Sequence, residues 1–230
     1  MRIRVAAIVP AAGKGRRFKS KTRKLLVPVA GKPLLAHTLI NLKKSFPFTE
    51  IILAVDPLQK ENIGRLLKKY GLRGIKVVGG GKTRSQSVLN GLSGISKECD
   101  WALVHDAARP FVDRGLVRRL LEGAKKTGAA ICALPVTATV KAINIRNQMI
   151  IRTEDRDRLY LAQTPQVFKK DLLLRRYQAL GRKAFRATDE AALFDRSDVR
   201  VKVIEGEAKN IKITTSQDLE LMKFYLKERF

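Results

Sequence analysis

Acidic residues are scarce in this chain of 230 residues: 21 Asp plus Glu stand against 47 Lys plus Arg, for a formal charge of +26. Even if every acid were paired, 26 basic side chains (47 − 21) would lack an acidic partner. That excess makes a polyanionic partner, RNA included, an alternative to weigh. Aromatic residues are also few, at 6%, and scattered. Their scarcity argues against the basic stripe with interleaved aromatics on which single-stranded nucleic acid stacks. The bases lie in nearly every segment, Arg118, Arg119, Lys125 and Lys126 among them. A generally basic, solvated surface is therefore expected, with no specific nucleic-acid face. Too few acids are present for ion-pair networks to account for the charge.

Cysteine is nearly absent. Cys99 and Cys132 have no metal-ligand spacing and lie in apolar contexts, so they are expected to be buried free thiols of a cytoplasmic protein. Long apolar runs are missing too, and no stretch approaches the roughly 20 residues of a membrane span. The start, MRIRVAAIVPAAG, imitates a signal peptide. Only Val5 to Val9 is apolar before Pro10, however, against the roughly 7 to 15 residues that a signal core needs, and the stretch is expected to be a first β-strand.

Two glycines are missing where nucleotide motifs want them. GGGKT, Gly79 to Thr83, imitates a phosphate-binding P-loop, but Lys76 stands where that motif has its first glycine. In VPAAGKGRRF, Phe18 stands where a dinucleotide fingerprint needs a glycine for close helix packing. A P-loop kinase and a Rossmann oxidoreductase are thereby disfavoured.

What is present is an alternation of short β-branched runs and helical patterns: VAAIV, PLLAHTLINLKKS, EIILAVD, a helix over 57–70, IKVVGG, a helix through SVLNGL, then WALVHDA. This spacing predicts βαβ units in an α/β fold with a mainly parallel twisted sheet flanked by helices. A further helix has Asp113 as N-cap, Leu116, Val117, Leu120, Leu121 and Ala124 on one face, and Gly128 as stop. AAICALPVT then reads as a strand.

Residues 139–160 break the pattern, with two β-like stretches flanking Asn147 and Gln148. They predict a hairpin projecting from a single domain spanning 1–230, and a lone hairpin needs something to pack on, so a homodimer arm is expected. The chain returns through QTPQVF to helices near 169–180 and 188–195, a strand in VRVKVIEG, a short strand in NIKIT, and a last helix with Ser216 as N-cap.

Three stretches carry chemistry, each near the carboxyl end of a predicted strand, where open α/β sheets bind ligands. In VPAAGKGRRF two glycines allow backbone N–H groups to turn toward an anion, with Arg16, Arg17 and then Lys24 as mobile cations. The loop suits a triphosphate, although a plain glycine turn reads the same way. In VHDAARP, Asp106 can ligate Mg²⁺ and Arg109 can fork onto a phosphate. His105 is expected to be structural, because phosphoryl chemistry needs no base of that kind. In NIKIT, Lys212 points away from Ile211 and Ile213 toward a cleft or solvent.

Taken in order, VPAAGKGRR, Lys24, GGGKTRSQSVLNGL, VHDAARPF, PVTATVK, DR before LYLAQTPQVF, ATDEA and NIKIT resemble the 2-C-methyl-D-erythritol 4-phosphate cytidylyltransferases over nearly the whole length. The resemblance implies a Rossmann-like nucleotidyltransferase fold with a β-hairpin dimerisation arm. It also implies CTP and an alditol phosphate as ligands, and Mg²⁺ as cofactor. It assigns Ala11, Ala12, Gly13 and Gly15 to the CTP phosphates, Gly80, Gly81 and Ser87 to the cytosine, and Asp106 and Ala107 to the ribose and metal. Arg17 and Lys24 would stabilise charge at the α-phosphate. Arg109, Thr188 and Lys212 would meet the incoming phosphate, and Thr139 and Arg156 would reach the partner subunit's site. Lys82 and Lys209 depart from some relatives, which carry acids there, leaving Asp106 without an acidic helper for the metal. A cytidylyltransferase for another alditol phosphate, such as ribitol 5-phosphate, would share the same phosphate-handling residues.

Overall fold

The computed structural model describes residues 3–13, 15, 18 and 23–228. The first strand, β1 (Val5–Ala11), is buried along its apolar run, as a strand covered on both faces requires. A short ladder of β2 (Pro28–Val29) and β3 (Lys32–Pro33) leads into α1 (Leu34–Ser45). There follow β4 (Glu50–Val55), α2 (Lys60–Lys69), β5 (Ile75–Gly79), α3 (Arg84–Ser93), β6 (Trp101–Val104), α4 (Arg114–Thr127) and β7 (Ala129–Pro135). The hairpin is β8 (Lys141–Ile143) and β9 (Ile150–Thr153). The chain closes with β10 (Tyr160–Lys169), α5 (Lys170–Leu180), β11 (Lys202–Glu205) and α6 (Ser216–Lys227).

Seven of these strands form one sheet in the order β11-β7-β10-β6-β1-β4-β5. The pairs β1–β4, β4–β5, β1–β6 and β11–β7 are parallel; only the two pairs made by β10 are antiparallel. The mixed, mainly parallel α/β sheet expected from the sequence is therefore present.

Side-chain alternation along β1 divides the core between the two faces of the sheet. Val5, Ala7 and Val9 join Leu35 and Leu39 of α1, Leu66 of α2 and Leu120 of α4. Ile8 points the other way, to Val88 of α3 and Leu173 of α5. A third cluster lies beneath the first loop, where Phe18 packs with Leu34, Ile213 and Met222. The Phe18 that breaks a dinucleotide fingerprint thus anchors the loop to α6.

The helix marked by Asp113 and Gly128 is found as read. The Asp113 side chain accepts from Leu116 N–H at 2.7 Å, and Gly128 closes the helix at φ 82°. Elsewhere the structure corrects the reading. QTPQVF belongs to a central strand, β10, whose register shifts between Ala162 and Gln166 so that Pro165 costs no ladder bond. The expected helix over 188–195 is only a 3-10 turn, Ala191–Phe194. NIKIT is extended but unpaired in any sheet, and Ile213 N–H donates to Ala108 C=O at 2.9 Å. The cap of α6 is Thr215, not Ser216, in a reciprocal capping box with Asp218.

Candidate active site

A cavity of about 990 Å³ opens at the carboxyl ends of β1, β4, β5 and β6. The chain winds outward from β1 through β4 to β5, then returns to place β6 on the other side of β1. That reversal is a topological switch point, where adjacent loops diverge and leave a crevice.

The first loop lines the cavity with Ala11, Ala12, Gly13 and Gly15. Gly15 has φ +63°, and a Cβ there would stand 3.0 Å from the Lys24 Cβ, so glycine serves both the turn and the approach of the lysine. Lys24 also lines the cavity, and its Nζ donates to Ile213 C=O at 2.8 Å. Arg17, and Arg16 beside it, lie outside the described residues.

Gly80 and Gly81 line the cavity beside this loop. A Cβ on Gly80 would lie 2.4 Å from the Ala12 Cβ, closer than atoms can pack, so the two loops approach as nearly as they do only because position 80 lacks a side chain. Ser87 supports that turn: its Oγ accepts from Gly81 N–H at 3.0 Å and donates to Thr83 C=O at 2.9 Å.

Asp106, directly beyond β6, is the electrostatic centre of the opposite wall. Arg84 Nε donates to its Oδ1 at 2.8 Å, Lys212 Nζ meets its Oδ2 at 2.6 Å, and Arg109 Nε stands 4.0 Å away. Burial pushes the carboxyl up, but Arg84 and Lys212 outweigh it and hold the group well below the usual carboxylate range. Its backbone N–H donates to Thr164 Oγ1 at 2.9 Å. Asp106 is therefore an anion whose two oxygens are paired with Arg84 and Lys212. No group of three or more His, Cys, Asp or Glu suited to a metal occurs among the described residues, so Asp106 stands as a lone carboxylate on the cavity wall.

The remaining expected residues divide. Lys212 and Ala107 line the cavity. Arg109, expected to meet a phosphate there, is buried instead, and its Nη1 donates to Asn210 C=O at 2.6 Å. Thr188 is exposed, two residues before the fully buried Glu190. Thr139 and Arg156 are exposed at the base of the hairpin, where Arg156 Nη1 donates to Thr137 C=O at 2.8 Å. They do not line the same chain's cavity. His105 is structural, as expected: it is fully buried, with Nε2 2.9 Å from Arg109 C=O and Nδ1 3.3 Å from Thr164 Oγ1.

Burial lowers the His105 pKa to about 4. An unfolded histidine titrates near 6.5, so between those values the unfolded chain binds the extra proton. Stability must then fall as the pH drops from about 6.5 to about 4, by as much as roughly 3 kcal/mol from this group. Urea midpoints measured across that range should show the decline, and a folded His105→Gln variant should flatten it.

A family model described as 2-C-methyl-D-erythritol 4-phosphate cytidylyltransferase matches residues 5–228. The chain belongs to that family. Among its relatives, the 2-C-methyl-D-erythritol 4-phosphate cytidylyltransferase of Alkaliphilus metalliredigens is 39% identical over 98% of this chain and 94% of its own length. The 4-diphosphocytidyl-2C-methyl-D-erythritol synthase of Anaerococcus prevotii superposes with a TM-score of 0.84 at 33% identity, covering 98% of this chain and 99% of its own. The cytidylyltransferase of Thermus thermophilus gives 0.80 at 35%, covering 98% and 100%. The α/β nucleotidyltransferase fold of the family is thus shared across the chain.

Two residues of this cytidylyltransferase-family site were not singled out from the sequence. Arg84 stands within the GGGKTRS motif and Glu190 within ATDEA, but their roles depend on a contact across 106 positions, which no local pattern encodes.

Proposed function

We propose that the protein transfers the cytidylyl group of CTP to 2-C-methyl-D-erythritol 4-phosphate, giving 4-diphosphocytidyl-2-C-methyl-D-erythritol and pyrophosphate in isoprenoid biosynthesis. The observation that carries this reading is the convergence of Lys24, Lys212 and the Ala11–Gly15 and Gly80–Gly81 loops on one switch-point cavity in a chain of this family.

The acceptor's phosphate oxygen attacks the α-phosphorus of CTP; the bond from that phosphorus to the bridging oxygen breaks and pyrophosphate leaves. The protein positions both substrates and neutralises charge that grows on the α-phosphate, with no covalent step of its own. Loop amides and Lys24 serve the triphosphate, with Arg17 as a second cation. Gly80, Gly81 and Ser87 shape the base pocket, and Asp106 and Ala107 border the ribose. Magnesium would arrive with CTP, held mostly by phosphate oxygens and water, with Asp106 as the carboxylate on this wall that could reach it.

In our reading the chain acts as one nucleotidyltransferase domain whose arm, at about 139–160, joins a second copy. Ile145, Met149, Ile150 and Ile151 are exposed on that arm, an apolar patch suited to burial against a partner. The arm then carries Thr139 and Arg156 toward the other copy's acceptor phosphate, while Thr188 serves the acceptor of its own chain. The free, buried Cys99 and Cys132 accord with a reducing cytoplasm, and among the described residues no helix is long and apolar enough to cross a membrane.

Arg156→Ala is expected to raise the KM for the alditol phosphate about tenfold with little change for CTP, because it removes a contact to one substrate only. Initial rates with each substrate varied in turn check this, and an effect confined to CTP would contradict the placement. The function itself is tested by pyrophosphate release from purified protein with CTP and Mg²⁺, with methylerythritol phosphate and ribitol 5-phosphate in competition. Turnover of the former is expected to dominate; preference for ribitol 5-phosphate, or no release with either, would refute the assignment.

A further inference from the structure

Arg84 joins two carboxylates that belong to different parts of the site. It opens α3 immediately after the GGGKT loop. Its Nε donates to Asp106 Oδ1 at 2.8 Å, and its Nη1 donates to Glu190 Oε1 at 2.9 Å and Oε2 at 3.0 Å. Asp106 lies two residues beyond the nucleotide-side strand β6 and holds Lys212 at 2.6 Å. Glu190 lies two residues beyond Thr188, and Gln166 Nε2 fastens the neighbouring Asp189 at 2.8 Å. Tyr177 Oη adds a hydrogen bond to Glu190 at 3.3 Å, and accepts one from Ser85 Oγ at 3.1 Å.

As a source of stability this arrangement is poor. Desolvating three charged groups offsets much of their mutual attraction, and apolar side chains of similar volume often serve as well or better. Here, moreover, Arg84 Nη2 is buried with no hydrogen-bond partner. What the triad supplies is geometry: a planar fork whose two arms fix two backbone segments at a set distance, as a lysine's single point of charge cannot.

We propose that Arg84 is a positioning residue, which holds the 188–190 segment in register with Asp106 and Lys212 and so sets where the acceptor phosphate lies relative to the α-phosphorus. This rests on the cytidylyl-transfer reading above. Arg84 itself acts through Asp106 and Glu190, while the cations that meet phosphate are others.

The test is Arg84→Lys, which keeps the charge and removes the fork. The expected result is a kcat lowered about 10²-fold and an acceptor KM raised about tenfold, because a small misplacement of one reactant is costly. CTP affinity, measured by calorimetry with CTP and Mg²⁺, should stay within about threefold, since Lys24 and the 11–15 and 80–81 loops keep their own contacts and only the ribose-side Asp106 loses one of its two partners. Adding Thr188→Ala to Arg84→Lys should cost little more, although Thr188→Ala alone is costly, because the two act through one segment. Glu190→Gln should shift the same constants in the same direction. A lysine variant with near-normal constants, or with CTP affinity and acceptor KM impaired alike, would overturn the inference. Should Arg84→Lys fail to fold, Glu190→Gln decides by the same split, and failure of both to fold would mark the triad as structural only. A wild-type protein that releases no pyrophosphate overturns the functional reading and this inference with it. An active wild type beside a near-normal Arg84→Lys overturns the inference alone.

Discussion

Replacing Lys24 by alanine is expected to lower kcat by about 10² or more and to leave the fold intact, because in the proposed role the lysine's charge is needed most when the α-phosphate is crowded by entering and leaving oxygens. The placement of Lys24 on the cavity wall is the ground for the first half of that expectation, and its partly buried bond the ground for the second. Lys24 begins a 3-10 turn beside the cavity, next to Gly15, whose backbone takes a left-handed turn to admit it. Its bond to Ile213 C=O, at 2.8 Å, is partly exposed, so losing it costs about 1 kcal/mol, small against a typical domain's stability. Single-turnover rates at saturating CTP separate the chemical step from binding, and a variant that keeps nearly full kcat would remove Lys24 from the transition state. Arg17→Ala is expected to behave alike on the same electrostatic grounds.

Lys212→Ala should be at least as damaging, with kcat/KM for the acceptor down about 10² to 10³-fold. Lys212 is tied to Asp106 at 2.6 Å yet keeps 36% side-chain exposure on the cavity wall. In the proposed role an incoming phosphate would meet a cation already oriented, able to share its ammonium protons between carboxylate and phosphate. Without it Asp106 keeps Arg84, so folding should survive while the proposed acceptor site loses a cation. Kinetic constants together with a thermal melt decide the matter: a collapsed melting temperature with normal constants at low temperature would make Lys212 a structural residue.

Much of this site was legible because its parts lie at the ends of elements that local patterns mark well. The apolar run before VPAAGKGRRF, the Asp at the end of WALVHDA, and the alternation that turns Lys212 away from Ile211 and Ile213 all read correctly. The neighbourhood of each group was less legible. Nothing in VHDAARP says that Arg109 turns inward to Asn210 C=O, because that carbonyl is 101 positions away. Nor does it say that Arg84 and Lys212, distant in sequence, pair with the two oxygens of Asp106. The strand β10 was obscured for a similar reason: its centre, Gln163-Thr164-Pro165-Gln166, is polar and contains a proline. These polar side chains are buried because they serve other segments, Gln166 through Asp189 and Glu190 N–H, and Thr164 through Asp106 N–H. Polar satisfaction is a tertiary property, and hydrophobic periodicity does not register it. The cap of α6 is a smaller case, in which adjacent Thr215 and Ser216 were equally eligible and the contacts of Asp218 with Thr214 and Thr215 decided between them.

The central claim is that one cavity, at the switch point between β1 and β6, cradles the triphosphate and presents it to the acceptor. A crystal structure with CTP and Mg²⁺ tests it most directly. The expected density places the phosphates against the backbone of 11–15 within reach of Lys24, the cytosine against Gly80 and Gly81, and the α-phosphorus on the side of the cavity that faces Lys212. Nucleotide density elsewhere on this basic surface, with the switch-point cavity holding only solvent, would contradict the account.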